Sequence, residues 1–184
     1  MEQDAVSKSA AEAVWELTCS VYATEAVADA CIGLQDRHGI GVSALLALLA
    51  MAALGYPVAE TARLEAVLAR AERWQRAIIE PLRALRRRIP AAASADIEAD
   101  AAALREHLIG REVEAERLQQ ALLVADSLAS RSTPAPAPAV GRAPGAAEPD
   151  AIERAARAYL GRYRSAWHER DEAALQVVLR AFRR

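Results

Sequence analysis

Residues 95–130 read ADIEADAAALREHLIGREVEAERLQQALLVADSLAS and form the most regular pattern in the chain. Positions in alternating steps of four and three are all apolar except Arg111: Ile97, Ala101, Leu104, Leu108, Arg111, Ala115, Leu118, Leu122, Ala125 and Ala129. This heptad spacing predicts one helix, about 50 Å long at ~1.5 Å per residue, with an apolar seam along one side. A helix of that length extends beyond a small globule, so its seam needs a partner.

The nearest partner in the sequence is a second helical stretch, from Glu60 to Ile89. Pairing the two stretches predicts a long antiparallel, coiled-coil-like hairpin, and self-association through the same seam is the alternative. The opposite net charges of the two stretches favour their pairing in a hairpin, because residues 60–90 carry a net charge of +4 and residues 91–130 carry −5. Pro81 interrupts the first stretch, and we expect a kink or a break there because proline has no N–H to donate.

The composition also favours helices. Of 184 residues, 46 are alanine, and aromatic residues make up only 4%. Alanine and arginine are strong helix formers, and β-branched residues are scarce. With a net charge of −2, this composition excludes a strongly basic nucleic-acid binder, a disulfide scaffold, a collagen-like repeat and an all-β fold.

Three shorter helices are predicted before the hairpin. Ser9 and Glu12 have the spacing of a capping box, which places the first helix start at Ser9. Thr24 is a plausible N-cap for the second helix, and Gly39 ends that helix because glycine accepts the left-handed conformation of a C-cap. The third helix, Val42–Leu54, is apolar on all sides and is expected at the centre of the core.

Composition divides the chain into three parts. Residues 1–130 are predicted to form a helical bundle domain, and residues 131–149 a flexible linker rich in proline, alanine and glycine. Residues 150–184 then form a tethered C-terminal amphipathic helical tail, interpreted as a docking helix. The predicted fold class is therefore all-α: a helical bundle with a long hairpin and a tethered terminal helix.

The sequence predicts a soluble cytoplasmic protein. Residues 1–9 are polar and carry no apolar signal-peptide core. The longest apolar run, Val42–Tyr56, is shorter than the ~20 residues that a bilayer span needs. Cys19 and Cys31 are too few for a disulfide framework, and they are interpreted as small buried hydrophobes.

No catalytic motif is present in the sequence. None of the three histidines, His38, His107 and His168, has a cysteine or a second histidine at metal-ligand spacing. P-loop, dinucleotide-binding, nucleophile-elbow and His-Glu-x-x-His patterns are all missing. We therefore predict no catalytic residue, no metal and no cofactor, and a protein that is not an enzyme.

One polar constellation is a candidate site. Gln35, Asp36 and His38 lie at the end of the second predicted helix, and buried polar groups are costly without partners. Arg83 or Arg87 is the natural counter-charge if Gln35 and Asp36 face inward. Three interpretations stay open: a structural cap or ion pair, a pocket for a ligand or partner, and acid–base catalysis.

A basic patch consists of Arg83, Arg86, Arg87 and Arg88, within two helical turns. The simplest interpretation is ion pairing with acidic neighbouring helices. The alternative is contact with the phosphates of a nucleic acid, which such a cluster favours. No aromatic platform or nucleic-acid-binding motif accompanies the patch, so nucleic acid is a possible but not a favoured partner.

Two motifs carry a resemblance to a known family. Leu34-Gln35-Asp36 followed by Gly39, and Pro81-Leu82-Arg83 followed by Arg86-Arg87, resemble the signatures of a proteobacterial family of unknown function. The resemblance covers roughly residues 10–125. This chain departs from the family at residues 41–43, where Gly-Val-Ser replaces a typical Asp-Val-Asn. The resemblance implies no activity, cofactor or catalytic residue.

The leading functional hypothesis is a non-enzymatic cytoplasmic interaction or regulatory protein that acts through helix–helix contacts. Its contact surface, for a protein partner or for a second copy, is predicted at four seam positions: Leu104, Leu108, Leu118 and Leu122. One alternative is a nucleic-acid- or ribosome-associated factor that uses the basic patch. The other is a small-molecule-binding protein or enzyme with a pocket at Gln35, Asp36 and His38.

Overall fold

A computed structural model describes residues 2–56, 58, 61–129, 149–163 and 167–183. The predicted all-α class is confirmed, since the residues within these ranges form helices and no strand. The elements are α1 (Glu2–Tyr22), α2 (Glu25–His38), α3 (Val42–Ala53), α4 (Thr61–Trp74), a π-helical segment (Gln75–Ile79), α5 (Glu80–Ala92), a 3₁₀ turn (Ala95–Ile97), α6 (Glu98–Ala129), α7 (Pro149–Leu160) and α8 (Glu169–Phe182).

Helix α3 lies at the centre of the core, as its uniformly apolar sequence predicts. Every residue from Ala44 to Ala52 is buried, and the helix packs against α1, α6, α7 and α8. Gly55 follows with a φ of +74°, a backbone conformation that favours glycine and turns the chain away from the helix. The neighbouring helix α2 ends as predicted at Gly39, which is also left-handed.

Helix α1 begins earlier than predicted. The capping-box spacing placed its start at Ser9, but the helix already runs from Glu2. Residues 2–8 contain good helix formers. These residues extend the helix, so Ser9 lies within it and does not cap it.

The predicted hairpin is present. Helices α4 and α5 pack against α6, and two side chains fix the antiparallel register. The indole Nε1 of Trp74 donates to the carbonyl of Ala115 at 2.9 Å, and the amide of Gln119 donates to the carbonyl of Ala71 at 2.9 Å. Helix α5 has no buried residue, so the far end of the hairpin extends away from the core.

Of the kink or break predicted at Pro81, the break is wrong, because the helix continues through that residue. The π-helical segment Gln75–Ile79 directly precedes α5, and Pro81 falls in the first turn of α5. Because helical backbone precedes Pro81 directly, its missing N–H removes one bond to the preceding turn, and the π-helical segment is the local irregularity at that place. Pro90 also lies inside α5, beyond Ile89, where the helical stretch was predicted to end.

The heptad seam of α6 is not the face that the helix buries. The buried residues of α6 are Glu112, Ala115, Gln119, Gln120, Leu123, Val124 and Ser127. Of the ten seam positions only Ala115 is among them, and Leu104 and Leu118 are 52% and 48% exposed. A straight α-helix drifts by about 20° per heptad relative to a 3.5-residue repeat, so the stripe rotates away from the core.

The C-terminal segment contributes two helices where the sequence suggested one continuous apolar face. Helix α7 packs on α3, and α8 packs mainly on α2. Residues 131–148 of the predicted linker lie outside the described residues, and Pro149 is the first residue of α7. The predicted tail therefore forms part of the core in this structure, through residues such as Ile152, Tyr159 and Leu179.

Helix α8 is joined to the end of α2 by a buried carboxylate. Asp171, fully buried, accepts a hydrogen bond from Arg37 Nε at 2.6 Å, and its other oxygen lies 3.0 Å from His38 Nε2. The backbone N–H of His168 donates to the same carboxylate at 2.9 Å. The ring of His38 stacks on Trp167 with centroids 5.1 Å apart.

In the part of the chain that the structure describes, no single helix is long and apolar enough to span a membrane. The adjacent helical segments Ala5–Tyr22 and Glu25–His38 meet that test only when combined, and they are bent by 99° relative to each other.

Candidate binding cleft

A cleft of about 560 Å³ lies between α1, α2, α3, α5 and α6. We call it the central cleft. Its volume falls within the range of roughly 300–1,000 Å³ typical of small-molecule sites. Its lining combines apolar, aromatic and charged side chains, among them Trp15, Thr18, Tyr22, Leu46, Arg83 and Glu116.

Arg83 organises the charged wall of the central cleft. Its Nε donates to Glu112 at 2.7 Å, and one terminal nitrogen donates to Glu116 at 2.9 Å. The other terminal nitrogen lies 3.3 Å from the Oε1 of Gln35, so this one side chain connects α5 to both α6 and α2. Arg86 donates from Nε to the second oxygen of Glu112 at 2.8 Å.

The two glutamates of this wall have opposite pKa shifts. Burial alone would raise the pKa of Glu112, but hydrogen bonds from Arg86 and Arg83 outweigh burial and lower the pKa below its ordinary value. Burial raises the pKa of Glu116, and the single contact with Arg83 offsets that effect only in part. Glu112 is therefore the firmly ionised member of the pair.

The inner end of the cleft holds two buried polar atoms without a hydrogen-bond partner. The Oγ1 of Thr18, a residue 5% exposed, and the Oε1 of Gln120, a residue 1% exposed, have none among the described residues. The amide nitrogen of Gln120 lies 3.2 Å from the carbonyl oxygen of Ser43. That contact fixes the amide orientation, because a rotated amide would place its oxygen against the carbonyl.

Two charges at the cleft are also unpaired. Arg87 and Asp36 line it and are exposed, and neither forms an ion pair or a side-chain hydrogen bond with a described residue. They differ in this from Arg83, whose guanidinium is held by three side chains.

The structure brings together four of the five residues of the predicted polar site. Gln35, Asp36, Arg83 and Arg87 all line the central cleft. His38 does not, because it lies against Asp171 and Trp167. Asp36 and His38 are two positions apart on α2, about 200° around a helix, so they face different neighbours. Arg86, from the basic patch, also lines the cleft, whereas Arg88 is exposed outside it.

Several cleft residues were missed at the sequence level. Glu112 and Glu116 are one turn apart on α6, and Arg83 and Arg86 or Arg87 are one turn apart on α5. Opposite charges at matching spacing on the two arms of an antiparallel hairpin are a signal for this network. Thr18 and Gln120 had no such signal, because their significance depends on the packing of α1 and α3 against α6.

A second cavity of about 360 Å³ lies on the opposite side of the hairpin, against α3 and α7. Its lining includes Gln119, Tyr159 and Arg162, and the Oε1 of Gln119 is buried without a partner among the described residues. Within the same described ranges, no group of three or more histidine, cysteine, aspartate or glutamate residues is arranged to hold a metal ion.

A family model described as "Protein of unknown function (DUF2390)" matches residues 13–123. The chain belongs to the DUF2390 family. The matched range agrees closely with the 10–125 expected from the sequence motifs, which confirms membership of a family of unknown function. No curated protein and no solved structure matches the chain.

The two cavities differ in whether all their lining residues lie within the range matched by the DUF2390 model. Every residue that lines the central cleft, from Trp15 to Gln120, lies inside the matched range. The second cavity depends on Tyr159, Arg162 and Tyr163, which lie beyond it. The central cleft is thus built by the DUF2390 region alone, and helices α7 and α8, which pack on α3 and α2, contribute no residue to its lining.

Replacing Thr18 by valine is expected to stabilise the protein. The substitution exchanges a buried hydroxyl without a partner for a methyl group of similar size, which removes a desolvation cost of about 1 kcal/mol. The measurement is the free energy of unfolding from urea denaturation. Thr18→Ser, which keeps the hydroxyl and loses the methyl, is the matched control and should be less stable than wild type. A valine variant less stable than wild type would show that the hydroxyl has a partner.

Proposed function

We propose that this protein is a non-enzymatic cytoplasmic binding protein and that the central cleft receives a ligand of small-molecule size. The observation that carries the proposal is that Thr18 and Gln120 line the cleft, while the Oγ1 of Thr18 and the Oε1 of Gln120 are buried without a hydrogen-bond partner among the described residues. A buried polar atom left unpaired costs about 1–3 kcal/mol, and most such atoms in native proteins are paired. A ligand that pairs with both atoms would recover that cost.

Binding is favoured over catalysis by the chemistry of the cleft. Cys19, expected from the sequence to be buried, is exposed and lines the cleft, and partial desolvation together with the Glu116 carboxyl raises the pKa of its thiol. A thiol with a raised pKa stays protonated and is a poor nucleophile. Glu112 is held ionised by two arginines and is therefore not available as a proton donor.

The geometry gives less support to nucleic-acid binding. Arg83 and Arg86, half of the basic patch, are already paired with Glu112 and Glu116. A phosphate would have to compete with carboxylates for these guanidinium groups, which leaves Arg87 and Arg88 as the readily accessible charges. Two exposed arginines provide a weak electrostatic footprint for a polyanion.

The proposal is tested by screening small-molecule fragments for binding to two variants. Val113→Trp narrows the cleft, because Val113 lines it and is 44% exposed. Val6→Trp is the matched control, since Val6 is 45% exposed and lies outside the cleft. We expect fragments that bind wild type and Val6→Trp but not Val113→Trp. Hits that bind all three proteins equally, or no hits, would contradict the proposal.

A second candidate is the interaction surface on α6. Leu104 and Leu118 are about half exposed and lie on the same predicted seam of α6. Leu108 and Leu122 of the same predicted surface are half-buried. A partner helix or a second copy of the chain that covers this stripe would bury apolar area at about 25 cal/mol per Å².

Replacing Leu104 and Leu118 together by glutamate is expected to abolish any self-association and to change the free energy of unfolding by only about 0.5 kcal/mol, since both lie on the surface. Sedimentation analysis measures the first effect and urea denaturation the second. Leu85→Glu is the control, because Leu85 is 50% exposed on α5 and outside the stripe. A wild-type protein that sediments as a monomer at the highest soluble concentration would count against self-association through this surface.

A further inference from the structure

Three residues of helix α6 line the central cleft at regular spacing. Glu112, Glu116 and Gln120 follow each other at four-residue spacing, and all three line the cleft. Residues 112 and 120 are therefore about 12 Å apart along the helix axis at ~1.5 Å per residue. Gln120, which is neutral, therefore lies at one end of this row of residues, and Glu112, which is bonded to Arg83 and Arg86, lies at the other.

The inner end requires a hydrogen-bond donor. The amide nitrogen of Gln120 is directed to Ser43, so only its carbonyl oxygen is free, and that oxygen accepts but cannot donate. Thr18 can complete the pairing in either direction, because a hydroxyl both donates and accepts. A hydroxyl or an amide N–H on the ligand satisfies both atoms, whereas an ionised carboxylate cannot satisfy Gln120.

The end of the cleft at Arg86 and Arg87, called the outer end, has guanidinium N–H groups without a hydrogen-bond partner among the described residues. Arg87 has no partner among the described residues, and Arg86 bonds Glu112 through Nε only. Both oxygens of Glu112 are already occupied by arginines. The lining contains three arginines and three carboxylates, and the guanidinium N–H groups of Arg86 and Arg87 that have no partner among the described residues are the donors left for an acid group. Planar guanidinium groups bind carboxylates by paired hydrogen bonds.

Apolar side chains also line the cleft, alongside Glu116, which lies midway between Glu112 and Gln120 on α6. Val42 and Leu46 of α3, Val113 of α6 and the rings of Trp15 and Tyr22 of α1 line the cleft. Tyr22 and, on α2, Ile32 are 38% and 47% exposed, so apolar surface is accessible to a bound molecule. This apolar part of the lining suits a hydrocarbon chain or a ring.

We infer that the ligand of the central cleft is an elongated amphipathic carboxylate, with its acid group at Arg86 and Arg87 and a hydroxyl or amide N–H at Thr18 and Gln120. The inference rests on the proposed function and specifies its ligand class. The two polar groups of the ligand are separated by an apolar body about as long as the 12 Å between the two ends of the cleft.

The test uses three matched probes: 8-hydroxyoctanoate, octanoate, which lacks the inner donor, and octane-1,8-diol, which lacks the acid. Binding is followed by the ¹H–¹⁵N signal of the Trp15 indole, identified through Trp15→Phe. We expect 8-hydroxyoctanoate to bind about tenfold more tightly than either single-ended probe, because each polar contact contributes about one factor of ten.

Two variants test which residues of the cleft contact the hydroxyl and which contact the carboxylate of 8-hydroxyoctanoate. Thr18→Val should reduce the advantage of 8-hydroxyoctanoate over octanoate, and Arg87→Ala should reduce its advantage over the diol. Arg88→Ala is the control for the second variant, since Arg88 is exposed next to Arg87 and does not line the cleft.

Equal binding of octanoate would overturn the assignment of the inner end, and equal or tighter binding of the diol would overturn that of the outer end. If none of the probes shifts the Trp15 signal, this ligand class is wrong. The fragment screen with Val113→Trp separates that outcome from failure of the proposed function, because a cleft that binds other fragments is still a binding site.

Discussion

Replacing Glu112 by alanine is expected to lower the free energy of unfolding by about 3 kcal/mol, the low end of the range for removing one partner of a buried ion pair. The Glu112 side chain is 10% exposed and accepts hydrogen bonds from Arg83 and Arg86. Without it, two partly buried guanidinium groups lie close together with Glu116 as their remaining counter-charge. Urea denaturation followed by circular dichroism measures the loss.

The control for this variant lies two residues away on the same helix. Glu114 pairs with Arg111, and their side chains are 57% and 71% exposed. Exposed ion pairs contribute about 0–1 kcal/mol, so Glu114→Ala should change stability little. Hydrogen exchange should also rise in α5 of Glu112→Ala, because α5 has no buried residue of its own and depends on contacts with α6. Equal losses in the two variants would contradict the role given to Glu112.

Replacing Asp171 by alanine is expected to cost about 3 kcal/mol as well, and to loosen α8 from α2. Asp171 is fully buried, and its removal leaves Arg37 and His38 without their carboxylate and the first turn of α8 without its cap. Unfolding in urea measures the stability, and the fluorescence of Trp167, which stacks on His38, reports on docking. Glu169→Ala, at an exposed position in the same turn, is the control.

The dependence of the free energy of unfolding on pH should show the contribution of Asp171 independently of the alanine variant. Burial alone would raise its pKa, but hydrogen bonds from the His168 N–H, Arg37 and His38 outweigh that and lower the pKa from 3.8 to about 2. Because the folded-state pKa is the lower one, the carboxylate contributes stability above 3.8, and that contribution is lost as the pH falls towards 2. Asp171→Asn should therefore lose less stability than wild type over this interval, and parallel curves would contradict the assignment.

Local patterns in the sequence predicted most of the helices. The uniformly apolar stretch from Val42 predicted the central helix, and Gly39 marked the end of α2 because its left-handed backbone conformation favours glycine. The heptad pattern predicted the length of α6 but not its buried face. Burial depends on where α1, α3, α4 and α5 contact the helix, and a seven-residue repeat does not stay on one face of a straight helix.

The central cleft was predictable only in its charged part. Gln35, Asp36, Arg83 and Arg87 were grouped because polar residues in helical patterns need partners. Thr18 was not distinguishable from any other polar residue on an amphipathic helix. Its importance arises from contacts between helices that are distant in sequence, and a single sequence does not encode those contacts in any local pattern.

Binding of fragments in the central cleft can be located by ¹H–¹⁵N chemical-shift changes. We expect changes at the Thr18 backbone amide and at the side-chain amide of Gln120, and we expect Val113→Trp to remove them. Changes confined to the exposed stripe around Leu104 and Leu118, or to the second cavity at Gln119 and Tyr159, would contradict binding in the central cleft.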